Sequence, residues 1–218
     1  MKTKLNRFGL LLAATAALLC TVFFTGCTSE IELELKKDGT VDVKFNGSAG
    51  TAFAALINAA AGSTSQSDQV IFDTKEIEYE MSHNGFSNVK AVTKAGADLS
   101  VTMTDKNGKS ALFTSGVVTA EKGKLSVALS PQTLKKFYDS ADSQTTAFLD
   151  MLLSPLFNDE VMSEEEYIEL LASFYGEEIA QEIKDSNFRI TLKNADGTKR
   201  LYSLGIAQLL TLNEVIRF

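Results

Sequence analysis

The feature that most constrains this chain is a turn that recurs at five places: Lys37-Asp38-Gly39, Lys94-Ala95-Gly96, Lys106-Asn107-Gly108, Glu121-Lys122-Gly123 and Ala195-Asp196-Gly197. Each is a three-residue loop ending in glycine, set between stretches in which apolar and polar residues alternate. A type I turn followed by a left-handed residue makes a loop of this length, and glycine enters that left-handed region without steric cost. The pattern therefore predicts antiparallel hairpins.

The register follows from asking which loop length puts like with like. For the first loop, three residues pair Ile31 with Phe45, Leu33 with Val43 and Leu35 with Val41 on one face, and Glu32 with Lys44 on the other. A two-residue Asp-Gly turn would set Leu35 against Asp42 and scramble the faces. The same arithmetic pairs Val89 with Val101, Ala91 with Leu99, Val101 with Phe113, Met103 with Ala111 and Val117 with Val127. Residues 88–129 are thus expected to form a four-stranded antiparallel meander, and a last hairpin pairs Phe188 with Leu204 and Ile190 with Tyr202.

Helices fill the gaps. Ala49, Phe53, Leu56, Ile57 and Ala60 recur at helical spacing, and Asp73 with Glu76 opens a second helix that Asn84-Gly85 ends. The polar stretch between them, residues 62–68, reads as a loop. Ser130-Pro131 places proline at the first turn of a helix, and Ser163 with Glu166 forms a capping box before another. Residues 131–185 are therefore expected to be a helical block. Within it Phe148, Leu149, Leu152, Leu153 and Leu156 belong to a segment that is apolar nearly all round, so it is buried or covers a greasy surface. Those five side chains are the candidate lining for an apolar ligand. A short helix or apolar turn over 206–212 and a terminal strand through Val215 and Phe218 close the chain. Alternating strand faces demand a cover and amphipathic helices supply it, so the expected fold class is α+β, an antiparallel sheet covered by helices.

The first 26 residues have the form of an export signal. Lys2, Lys4 and Arg7 precede an uncharged apolar run from Phe8 to Phe24. Removing them takes three basic and no acidic residues from 21 Lys+Arg and 28 Asp+Glu, leaving 18 against 28, a formal charge near −10. Bulk electrostatics of that sign argue against a nucleic-acid binder. The remaining residues, 27–218, suit one domain. Cys20 lies inside the apolar run behind bulky Leu18 and Leu19, so with the first 26 residues removed Cys27 is the single cysteine left. No intramolecular disulfide and no thiolate metal site is then open to it.

Chemistry is sparse. His83 is the single histidine and precedes Asn84-Gly85 at a helix end, where an imidazole meets the helix dipole favourably. Glu30, Glu32 and Glu34 alternate on the polar face of the first strand, which reads as a solvated face, with a cation site as the sharper alternative. Asp38-Gly39 and Asp196-Gly197 lack the spaced oxygen ligands of a calcium loop. No nucleophile elbow and no phosphate-cradling glycine loop is present. The expectation is a protein without catalytic residues, cofactor or metal.

The stretch Phe24-Thr25-Gly26-Cys27 resembles the lipobox of bacterial lipoproteins, with Phe24 in place of the usual Leu or Val, as in the relaxed lipoboxes of spirochaete-type lipoproteins. That resemblance implies cleavage before Cys27, a diacylglycerol on its thiol, and anchoring to the outer face of a bacterial membrane. The hairpin from Ile31 to Phe45 directly after that cysteine, the helix and polar loop that follow, and Asn84-Gly85-Phe86 before a strand resemble uncharacterised spirochaete-type lipoproteins and, more distantly, LppM-type lipoprotein domains. The LppM-type likeness implies lipid binding in the envelope; the helical block 131–185 departs from a minimal domain of that type. The resulting expectation is a membrane-tethered, non-catalytic binding or interaction module of the envelope. A carrier of lipid or another apolar ligand is the alternative reading, and a carboxylate-based hydrolase a third. Its partners would be the membrane, through the anchor, and a lipid or an envelope protein.

Overall fold

The structure is a computed structural model that describes residues 29–60, 73–94, 98–138 and 161–218. In chain order its elements are β1 (Ser29–Leu35), β2 (Val41–Ser48), α1 (Thr51–Ala60), α2 (Thr74–His83), β3 (Ser87–Lys94), β4 (Asp98–Asp105), α3 (Ala111–Thr114), β5 (Val118–Glu121) and β6 (Lys124–Leu129). There follow α4 (Pro131–Tyr138), α5 (Glu164–Tyr175), α6 (Glu177–Asp185), β7 (Asn187–Lys193), β8 (Lys199–Gly205), α7 (Ile206–Leu210) and β9 (Ile216–Arg217). A six-stranded sheet runs in the order β3-β4-β2-β1-β7-β8, and a three-stranded sheet in the order β5-β6-β9. The fold is α+β and mostly antiparallel, with one parallel pair, β1 with β7, at the heart of the large sheet.

Two hairpins have the register that alternation demands. Ile31 faces Phe45, Leu33 faces Val43, Leu35 faces Val41 and Glu32 faces Lys44. Phe188 faces Leu204 and Ile190 faces Tyr202. Asp73 accepts hydrogen bonds from the amides of Lys75 and Glu76 at 3.0 and 3.1 Å, and Ser163 with Glu166 closes a full capping box. In these places local turn and cap chemistry decides the geometry unaided.

The four-stranded meander expected over 88–129 is not formed. Its strands fall into two hairpins in different sheets, and Ala111 and Phe113 lie in α3 rather than on a strand beside β4. The cause is Asp105. Its carboxylate gathers the backbone N–H groups of Asn107, Gly108, Lys109 and Ser110 at 2.6 to 3.3 Å, so the chain curls into a helical turn instead of returning along β4. β4 pairs with β2 instead, Val101 opposite Phe45 and Met103 opposite Val43.

Two smaller corrections concern register. β3 meets β4 with Ala91 opposite Val101 rather than Leu99, after an irregularity between Ser87 and Lys90 where Asn88 has φ 54°. That slip is even, so each side chain keeps its face. In the β5-β6 hairpin Val118, not Val117, faces Val127, because the turn has only Lys122 and Gly123 between paired Glu121 and Lys124. Both turn residues have positive φ, 51° and 76°, the type I′ geometry whose twist suits a two-residue hairpin.

One face of the large sheet is continuous core. Leu33, Val43, Phe45, Val101, Met103, Ile190 and Leu192 are buried there, in one cluster with Val118, Leu125, Val127 and Leu129 of the small sheet and with Tyr167, Leu171, Ile183 and Leu209 of the helices. Each such side chain stabilises the fold by about 1.5–3 kcal/mol relative to exposure. The helical block appears, within its described part, as α4, α5 and α6. Glu182 of α6 caps α1 from outside, accepting from the amides of Ala52 and Phe53 at 2.9 and 3.0 Å. This joins two elements 130 residues apart in the chain.

Candidate functional site: an apolar cavity between the sheets

The alternation that makes β1, β2, β4 and β7 amphipathic turns Ile31, Leu33, Phe45, Met103, Phe188 and Ile190 toward the cover. The cover answers with Leu112 of α3, Val117 and Val118, Val127 and Leu129 of β6, Leu134 of α4 and Leu209 of α7. Between them lies a cavity of about 50 Å³ whose lining contains no polar side chain. An apolar cavity of about 150 Å³ stays dry and admits benzene, so a void about a third of that size takes a group smaller than a benzene ring without movement of its walls. It repels water, since a buried water needs two or more polar partners.

The cavity begins close to the start of the chain's central strand. Ile31 and Phe45 lie one inward row along from Ser29 and Phe188, and two residues of strand span about 7 Å. Ser29 itself is fully buried.

The other face of the large sheet carries the glutamates. Glu34 accepts from Lys36 at 2.7 Å and Lys193 at 2.9 Å, and Lys36 also reaches Asp42 at 3.3 Å. The Lys193 and Lys36 ammoniums hold the Glu34 carboxyl below the ordinary range. Glu32 stands between Lys44 and Thr191, and Glu30 between Asn46 and Arg189. Glu34 is thus ion-paired, and all three glutamates are partly buried. Among the described residues no group of His, Cys, Asp and Glu is placed to hold a metal ion.

Perturbed carboxyls elsewhere also move downward. Asp38 and Asp196 are lowered by the Thr40 and Thr198 hydroxyls and amides of their own turns, and Glu166 by the Ser163 amide and hydroxyl. At Asp105 burial opposes ionisation, but hydrogen bonds from Ser110, Asn107 and Gly108 outweigh it and leave the carboxyl below its ordinary value. A general acid would need the opposite shift. Burial pushes the phenol of Tyr167 far upward, so it stays neutral. His83 is exposed at the end of α2, its Nδ1 2.8 Å from the Tyr79 carbonyl and its ring centroid 4.0 Å from that of Tyr79, which is a helix-end placement.

Cys27 and the expected lining residues Phe148, Leu149, Leu152, Leu153 and Leu156 lie outside the described residues. The described lining of the cavity comes from inward-facing positions of the strands together with Leu112, Leu134 and Leu209 of three helices and Val117. What alternation cannot show is that the small sheet stops short of filling the space above them. Among the described residues no helix is long and apolar enough to cross a membrane. In comparisons with family models, curated proteins and solved structures, nothing matches the chain.

Proposed function

We propose that this protein is a lipid-tethered, non-catalytic binding module of the bacterial envelope, and that it receives a small apolar group, such as the end of an acyl chain, in the cavity between its sheets. The observation that carries the reading is the all-apolar lining of that cavity. Ligand pockets of soluble proteins are predominantly apolar, and a chain end entering this one leaves no polar group unpaired.

The tether reading rests on the lipobox-like sequence before Cys27 and gains a consequence from the fold. β1 begins at Ser29, so Thr28 alone separates it from the cysteine, a reach of about 7 Å. A lipid at Cys27 would hold this end of the sheet, where the cavity lining begins, against the bilayer. The opposite end would stand about 23 Å further out along β1.

The test is native mass spectrometry of the full-length protein purified from its own envelope, with Val118→Phe to fill the cavity. A bound lipid on the wild type that is lost from a folded Val118→Phe variant supports the reading. A lipid-free wild type, or equal occupancy in both, overturns it. The tether is tested separately by labelled palmitate, which should mark the wild type and not Cys27→Ser.

A further inference from the structure

The sheet sorts charge along its length. At the end opposite Ser29, four loops come together: 36–40 between β1 and β2, 106–110 after β4, 122–123 between β5 and β6, and 194–198 between β7 and β8. The strand pairing brings the first two beside one another, since Val41 faces both Leu35 and Asp105. The last two are joined by the Ala195 amide donating to the Gly123 carbonyl and the Leu125 amide donating to the Asn194 side chain. These loops and the residues beside them expose Lys37, Lys106, Lys109, Lys122, Lys124 and Lys199. They make up a third of the mature chain's basic residues on a molecule that is otherwise strongly acidic. From β4 to β8 the sheet has four strand spacings, so the tip is about 19 Å across.

We propose that this tip docks an acidic segment of a protein partner, about six extended residues long. Three observations choose that partner over a phosphate polymer or an anionic membrane. Among the described residues of the tip, the converging backbone N–H groups of Asn107 to Ser110 are already filled by the Asp105 carboxylate and leave no phosphate cradle there. The Arg200 guanidinium nearby gives one terminal nitrogen to the Leu125 carbonyl and has its Nε buried, so it does not present a bidentate fork. What remains is a set of spaced ammoniums interleaved with Asp38, Glu121 and Asp196, which suits spaced carboxylates with room for a few cations. The net charge also discriminates. A bilayer plane or a long polyanion would meet the acidic body as well as the tip, whereas a short segment stays within a Debye length of about 8 Å of the lysines.

The experiment measures binding of fluorescent poly-L-glutamate to the full-length protein in detergent, by anisotropy, at low and high salt. The variants are Lys37→Glu/Lys109→Glu at the tip and Lys90→Glu/Lys184→Glu elsewhere, which change net charge equally. Both lysine pairs are exposed, and melting curves confirm folding. Should the tip reversal fail to fold, Lys37→Gln/Lys109→Gln replaces it. The expected result is roughly tenfold weaker binding for the tip variant, little change for the other, and weakening with salt. Equal loss in both variants, no binding by the wild type, or tighter binding of polyphosphate than of polyglutamate overturns the proposal. None of these results bears on lipid occupancy of the cavity, so the two readings fail independently.

Discussion

Removing the Asp105 carboxylate should be among the most damaging single changes in this protein. The side chain is 1% exposed and accepts four backbone N–H bonds, three on one oxygen and that of Ser110, at 2.7 Å, on the other. Asn107, Gly108 and Lys109 are exposed and can turn their amides to water, but the Ser110 amide is buried with its residue. A hydrogen bond to a charged group contributes about 1.5–3 kcal/mol, and stranding a buried donor costs about 1–3 kcal/mol. Asp105→Ala should therefore destabilise by about 3–4 kcal/mol, less than four independent bonds would suggest. Asp105→Asn should be little better, because its NH₂ must face one of the two donor sets, and about 2–3 kcal/mol is expected. Urea unfolding followed by circular dichroism reads both values. The pH dependence follows from the sign of the shift. The folded pKa lies below the ordinary 3.8, so the stabilisation is present above that value and disappears as pH falls through the folded pKa. The gap between wild type and Asp105→Asn should hold from pH 7 down to about pH 4 and close below it. A loss under about 0.5 kcal/mol, or a gap unchanged at pH 2, would refute the account of why the chain turns here.

Three other outcomes can be checked by the same unfolding assay. At Gly50 an added Cβ would meet the Glu182 carboxylate at 2.3 to 2.7 Å, and that flexible side chain can swing away only by releasing α1. Gly50→Ala and Glu182→Ala should each cost about 1–2 kcal/mol and the double variant no more than about 2, since both remove the same cap; full additivity would count against it. Gly85→Ala should cost more than Gly39→Ala: both have φ near +85°, but the new Cβ at Gly85 would lie 2.6 Å from the Lys109 carbonyl whereas Gly39 is open, so about 2–4 against about 1 kcal/mol is expected. Lys122→Asn should stabilise by a few tenths of a kcal/mol, up to about 1, because Asn tolerates the positive φ of a type I′ turn better than Lys; a loss would indicate that the Lys122 side chain has a structural role.

What the sequence by itself determined is what short-range chemistry controls. Lys37-Asp38-Gly39 and Ala195-Asp196-Gly197 set two registers, and Asp73 and Ser163 set two helix starts, because a turn or cap satisfies its own backbone groups within a few residues. The α+β class followed from these alternations. The tertiary structure decided which strand edges meet. Ala111 and Phe113 offer β4 an apolar pair much as Val43 and Phe45 of β2 do, and the choice falls to a carboxylate that bends the chain away at Asp105. The Lys122-Gly123 turn shows the same limit at smaller scale: Glu-Lys-Gly permits two or three loop residues, and packing of Val118 opposite Val127 selects two. Ile31, Leu33, Phe45, Phe188 and Ile190 were legible as inward-facing, but Leu112 and Val118 fell on the outward face of the expected meander, and the cavity is the space left where two sheets and three helices of fixed shape meet. The basic tip likewise depends on which ends of the strands lie together. Both are properties of arrangement in space, which long-range packing settles and sequence periodicity does not encode.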